Sequence, residues 1–210
     1  MNIHSVPVAA TTRRRADPPV PAKRDAILRA AIDVFAERGF FNAQVADVAR
    51  AAGVAAGTVY LYFRSKDDLL ASIFERTMRE AFAEGRAALA GVSDPSERLR
   101  RFARLHLERL GRDRNLAIVF QVELRQSVKF MERLSSTLLR DYLGQLRSAI
   151  VDGQRAGVFR ADLNATVAAK ALFGAIDEMA TNWILSRRRY SLEADADQVV
   201  ELFLTGARRR

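Results

Sequence analysis

Apolar residues along this chain recur at spacings of three and four, and the strict alternation of a half-buried strand occurs nowhere. Ile27, Ala31 and Val34 or Phe35 make the first stripe. They predict a helix over about 23–38 that Gly39 ends, with Phe40 or Phe41 folding back on the core. Val45, Val48 and Ala49 share one face of a short second helix, which starts at Asn42 or Gln44. Gly53 closes it at a position suited to positive φ. Val54 fills the corner, and a third helix covers about 55–62, with Val59 and Phe63 four apart on one side. The fourth helix is long, about 66–89, and repeats Leu69, Leu70, Ile73, Phe74, Thr77, Met78, Ala81 and Phe82. Ser65 and Asp68 have the spacing of a capping box at its start. Gly91 to Pro95 breaks the pattern: Ser93 or Asp94 caps the next helix and Pro95 takes its first position. Further helices are expected over about 94–110, 114–127, 129–156, 163–188 and 193–207. The fold class is all-α.

Two short helices meeting at a glycine turn, as residues 45–63 do, form a helix-turn-helix pattern, whose second helix enters the major groove of DNA. The recognition segment, Ala55, Ala56, Gly57 and Thr58, is small and uncharged, so its backbone can approach the groove floor closely. An alanine methyl suits a thymine methyl, and Thr58 suits a base edge or a phosphate. Gln44 can offer its amide to an adenine edge or a phosphate. The fourth helix is too long to serve a small head alone. The expected organisation is an arm over 1–22, a DNA-binding head over 23–68 and a helical body over 69–210.

Composition adds limits. There is no cysteine, hence no disulfide framework and no thiol chemistry. No apolar run reaches transmembrane length and the N-terminus lacks a signal-peptide core, so a cytoplasmic protein with no membrane partner is expected. The net charge of +9 is concentrated at the ends: Arg13, Arg14, Arg15, Lys23 and Arg24 near the start, and Arg208, Arg209 and Arg210 at the finish. Between them acids and bases nearly balance. The proline-containing arm reads as disordered, and its arginines suit unspecific attraction to phosphates or a minor groove. His106 stands mid-helix without partners at metal-ligand spacing. With no nucleophile motif and no phosphate-binding glycine loop, the sequence gives no support to an enzyme, and no cofactor is expected.

The body holds two chemically richer stretches. In residues 120–127, Phe120 and Leu124 continue an apolar stripe with Val128, while Gln121, Glu123, Arg125, Gln126 and Ser127 occupy the rest. In residues 174–184, Asp177 and Glu178 interrupt an apolar helix that also carries Trp183, the one tryptophan. Ala171, Gly174 and Ala175 let another helix approach closely. That helix and the last one, with Val199, Leu202 and Phe203, are expected to pair with their symmetry mates in a homodimer. Asp177 and Glu178 are candidates for arginine partners at such a seam.

The run from Gly57 to Leu70, with Tyr60, Tyr62, Phe63 and Lys66, resembles the signature of the TetR family of transcriptional regulators, over about residues 23–83. The resemblance implies a repressor that binds a pseudo-palindromic operator as a dimer and is released by a small-molecule effector. Tyr60, Tyr62 and Lys66 cluster where the recognition helix meets phosphate. Three further blocks, Asn42–Val45, Glu123–Ser127 and Asp177–Trp183, are similar to the fatty-acyl-CoA-responsive branch of that family. They imply a long-chain acyl-CoA effector and control of fatty-acid degradation genes. Phe102, Leu105, Leu116, Phe120, Leu124, Phe173, Met179 and Trp183 are candidates to line the acyl tunnel, with Glu123 and Asp177 among the ligand-site residues. Arg125, Arg101, Arg104 and Arg187–Arg189 are candidates for its phosphates. The competing readings are a TetR-type repressor of another apolar effector, with a broad aromatic pocket, and a helical scaffold protein without DNA readout.

Overall fold

The computed structural model describes residues 20–126, 135–186 and 190–208. The expected arm over 1–22, apart from its last positions, lies outside the described residues, as do Ser127, Val128, Arg187–Arg189, Arg209 and Arg210. Among the described residues the secondary structure is helical, with one isolated bridge between Phe159 and Arg208.

The first four helices follow the apolar stripes closely. They are α1 (Val20–Arg38), α2 (Val45–Ala51), α3 (Ala56–Tyr62) and α4 (Lys66–Leu89). Ile27, Ala31 and Phe35 of α1, Val48 of α2, Val59 of α3 and Leu69 and Leu70 of α4 are fully excluded from solvent and, with Phe63, form the head's part of a core that continues into the body. Phe40 folds inward while Phe41 stays exposed. Gly39 and Gly53 adopt φ of +76° and +68°, the left-handed conformation that ends α1 and α2 at little steric cost. Ser65 caps α4 by accepting the Asp68 N–H.

The body is built around α5 (Pro95–Arg112), which presents Leu99, Phe102, Ala103 and Leu107 to the interior. Asp94 accepts the N–H groups of Ser96 and Glu97, and Pro95 occupies the first turn, where its missing N–H costs nothing. Two short segments, α6 (Arg114–Ile118) and a π turn (Val119–Glu123), come next in the chain. Around α5 pack α7 (Arg140–Arg155), α8 (Ala165–Leu185) and α9 (Ala196–Ala207). A 3₁₀ turn, Leu192–Asp195, precedes α9 where the sequence suggested that the helix had already begun.

The clearest departure from the expected elements is the helix over 114–127. Only α6 is α-helical; after the π turn comes a 3₁₀ turn over Leu124–Gln126. The wider π turn rotates the downstream residues about the helix axis. Glu123 is thereby buried against α1, while Phe120, Gln121, Leu124 and Arg125 meet the interior of the body. On the outer side of α8 and α9, Val167, Leu185 and Leu202 remain strongly exposed beside Ala171, Gly174 and Ala175. No helix among the described residues is long and apolar enough to cross a membrane.

Candidate functional site

The exposed face of α3 starts at its N-cap, Ala55, and continues through Ala56, Gly57, Tyr60 and Leu61. Thr58 and Tyr62 are half-buried, and Val59 anchors the opposite face. A short helix with a small uncharged leading edge and an exposed phenol can lie close to a groove floor and a flanking phosphate. Gln44 is the exposed N-cap of α2, and its own N–H is accepted by Asp47 at 3.2 Å. Its side chain thus stands at the end of the helix that crosses behind α3.

Lys66 corrects the expectation of a phosphate contact. Its Nζ donates to the carbonyl oxygens of Phe40 at 2.7 Å, Phe41 at 3.0 Å and Ala43 at 2.9 Å, and lies 4.7 Å from the centre of the Phe40 ring. An ammonium has three donors, and all three are engaged. Lys66 therefore ties the loop after α1 to the start of α4. No donor is left to offer to DNA.

The body contains an apolar pocket between α4, α5, the π turn, α7 and α8. Phe74, Met78, Phe120, Leu124, Leu139 and Phe173 supply its apolar wall. Phe74 and Phe120 stack with centroids 5.6 Å apart. The polar end is a buried network centred on Asp177. Its carboxylate accepts from Gln121 at 2.6 Å, pairs with Arg125 and lies 3.7 Å from His106 Nε2. Burial pushes the Asp177 pKa up, but His106, Gln121 and Arg125 outweigh it and hold the group below its ordinary value. His106 Nδ1 and the Tyr142 hydroxyl lie 3.1 Å apart, and burial pushes the phenol's pKa up. The pocket volume is about 110 Å³.

The structure therefore brings Phe120, Leu124, Arg125, Phe173 and Asp177 together as expected, but not all their companions. Phe102 and Leu105 line a much smaller void on the far side of Tyr142. Trp183 lies away from the pocket: its Nε1 donates to the Tyr190 carbonyl at 3.0 Å and Arg114 stacks 4.9 Å over its ring. Leu116 is packed in the core and Met179 against it, and neither lines the pocket. Glu123 is also outside it, accepting the Phe40 N–H at 2.7 Å. Arg101 pairs with Glu97, and Arg104 forms a two-bond fork with Asp197. Arg125, the third candidate for phosphates, is held by Asp177. Of the two acids proposed for a seam, Asp177 pairs within the pocket wall, while Glu178 stays exposed and accepts from Asn182.

Sequence reasoning missed His106, Tyr142, Thr77 and Gln121 as one constellation, because they come from four different elements. It also missed the contacts between the first helices and the body. Arg29 pairs with both Asp33 and Asp113, and Asn115 donates to Asp33 at 2.8 Å. Together with the Glu123–Phe40 bond they fasten α1 to α6 and the π turn. Among the described residues no group of acids and histidines is arranged to hold a metal ion.

A helix-turn-helix head joined by a continuous long helix to an all-helical body with an internal apolar pocket defines a ligand-responsive DNA-binding regulator. Residues 27–73 match the family of bacterial regulatory proteins of the tetR type, and residues 74–206 match the C-terminal region of YsiA-like proteins. The chain belongs to the TetR family. It is 36% identical to the fatty acid metabolism regulator protein of Bacillus subtilis over 86% of this chain and 93% of that protein. Among solved structures it is similar to the fatty acid degradation regulator FadR of Bacillus halodurans, with a TM-score of 0.84 and 37% identity over 93% of this chain and all of that one. It is also similar to FadR of Bacillus subtilis in complex with stearoyl-CoA, with a TM-score of 0.82 and 34% identity over 87% of this chain and 98% of that one.

Proposed function

We propose that this protein is a dimeric transcriptional repressor of fatty-acid degradation genes that long-chain acyl-CoA releases from its operator. The observation that carries the reading is the position of the apolar pocket. One wall is α4, which runs out of the head, and another is the π turn, which holds the head through Glu123 and Phe40. A ligand that widens this pocket by displacing either of these two walls moves an element fixed to the DNA-binding helices. The stearoyl-CoA bound by the Bacillus subtilis relative supports the choice of effector.

Physical size gives the direction of the switch. At about 110 Å³ the pocket is well below the ~300–1,000 Å³ of ordinary ligand sites. A long acyl chain enters only when the walls part. The effector thus binds the open form better than the closed one, and that difference is the sole source of its leverage on the operator. Two heads are needed for a pseudo-palindrome, and the exposed apolar and small residues of α8 and α9 are the surface that supports a two-fold pairing.

The test is a titration of operator release against acyl-CoAs of graded length, with free CoA beside them. Each buried methylene contributes ~0.8 kcal/mol. Shortening the chain by four carbons is expected to weaken release by up to about a hundredfold, or ~3 kcal/mol, while the opened pocket covers those carbons. Release that ignores chain length, or that free CoA achieves equally, rejects acyl-CoA and leaves another apolar effector.

A further inference from the structure

We infer that His106 and Asp177 form a recognition point for a hydroxyl group carried on the acyl chain, so that the effector this protein favours is a hydroxylated long-chain acyl thioester. The inference rests on the acyl-CoA reading above and narrows the chemistry of the tail.

His106 on α5 and Asp177 on α8 both line the acyl pocket. The buried phenol of Tyr142 has its hydroxyl 3.1 Å from His106 Nδ1. With Nδ1 taking the phenol's proton, the ring's own hydrogen is assigned to Nε2, and a charged ring carries one there as well. Nε2 is buried and has no hydrogen-bond partner. Asp177 Oδ1 stands 3.7 Å from it, beyond the length of a hydrogen bond. Neither side is free to close the gap. The imidazole is packed among Phe102, Tyr142 and Phe173, with ring centroids 6.4, 6.0 and 5.3 Å away. Asp177 is anchored by Gln121 at 2.6 Å and by Arg125. A buried donor left in this state costs free energy until something supplies an acceptor.

The gap presents a donor on one side and an acceptor on the other, and a hydroxyl is both. Its oxygen accepts from Nε2–H, and its hydrogen goes to the second lone pair of Oδ1, beside the Gln121 bond. Two hydrogen bonds of ordinary length bridge 3.7 Å with the oxygen at the apex of a bent arrangement. A thioester or keto carbonyl only accepts, and would set its oxygen against the carboxylate. A free carboxylate adds a like charge. An unbroken methylene chain leaves Nε2 as it is. Two neighbouring polar side chains do not compete for the place: Arg109 is spent on Glu80 and Glu84, and Gln121 Oε1 accepts from Thr181 at 3.1 Å.

The experiment titrates the full-length protein by calorimetry with a long-chain acyl-CoA and with isomers of the same length bearing one hydroxyl, moved stepwise from the third carbon to the last. In a wholly apolar pocket a buried hydroxyl without partners weakens binding by about tenfold or more at every position. Here one position is expected to bind at least as tightly as the plain chain, and on the order of tenfold more tightly than isomers displaced by several carbons. In His106→Phe, which keeps a flat ring among the same neighbours, the ratio of that isomer's affinity to the plain chain's is expected to fall by on the order of tenfold. The wild-type series decides the matter even where the variant fails to fold. If every hydroxylated isomer binds more weakly than the plain chain, as it would with water satisfying the pair, the hydroxyl site is overturned and the acyl-CoA reading stands. A positional preference that survives in His106→Phe overturns the assignment to His106. Wild-type protein that binds no acyl-CoA, plain or hydroxylated, removes the acyl-CoA reading, and the hydroxyl site falls with it.

Discussion

Lys66 occupies the point where three carbonyl oxygens converge, and its chemistry there differs from that of a surface lysine. The oxygens belong to residues 23 to 26 positions earlier in the chain, so no local pattern could announce the contact. Replacing it by methionine keeps the stem and removes every donor. Lys66→Met is expected to destabilise the protein by about 2 kcal/mol in denaturant unfolding, as partly buried carbonyls lose their partners. The salt dependence of operator binding is expected to stay as in wild type. A slope lower by about one unit would restore the phosphate contact that the sequence suggested. Tyr60, 55% exposed on α3, stays free to meet a phosphate, so Tyr60→Phe is the variant expected to weaken operator binding across all sequences alike. Residues whose partners are local were legible: Gly53, Ser65, Asp94 and Pro95 act within their own turn, and each does what its position implied. His106 was not, because Tyr142 and Asp177 reach it from α7 and α8.

At the scale of elements, the π turn over Val119–Glu123 is where periodicity failed. A π turn inserts one residue into a helical stripe, and a segment as apolar as Leu116 to Leu124 offers acceptable stripes on either side of the insertion. The polar residues explain the choice made by the folded chain. Gln121 and Glu123 are both buried, and the π geometry satisfies the first at Asp177 and the second at the Phe40 N–H. The turn thus touches the pocket with one side and the head with the other. Glu123→Ala removes the second contact. It is expected to cost about 2 kcal/mol of stability, the range of a hydrogen bond to a charged group. It is also expected to reduce the factor by which saturating acyl-CoA lowers operator affinity, while acyl-CoA binding itself stays within a few-fold of wild type. Operator affinity measured with and without effector gives this coupling directly. Coupling equal to wild type would assign communication to α4 alone.

The whole molecule is organised by α4, whose 24 residues extend roughly 36 Å from the recognition helix into the body. Its length was legible because the stripe from Leu69 to Phe82 is unbroken and Ser65 marks its start. What the sequence did not yield was the docking of α1 on the body through Arg29, Asp33, Asp113 and Asn115, four exposed or half-buried polar residues with no periodic signature. Pairing of two such molecules is testable at Leu202, which is 79% exposed on α9. Leu202→Glu is expected to sediment as a monomer at micromolar concentration with unchanged helix content. Its operator affinity should fall on the order of a hundredfold or more, since two linked heads no longer bind together. A variant that remains dimeric would move the interface elsewhere. The closed acyl pocket has a consequence for how much effector the cell must accumulate. Only the fraction of molecules with parted walls can take the tail, so the apparent affinity is the intrinsic one reduced by that fraction. The stacked pair Phe74 and Phe120, part of the wall that has to part, is then expected to help set the threshold at which the genes are switched on. Proteins with the same tail-binding residues can therefore answer to different fatty-acid supplies through the tightness of this one closure.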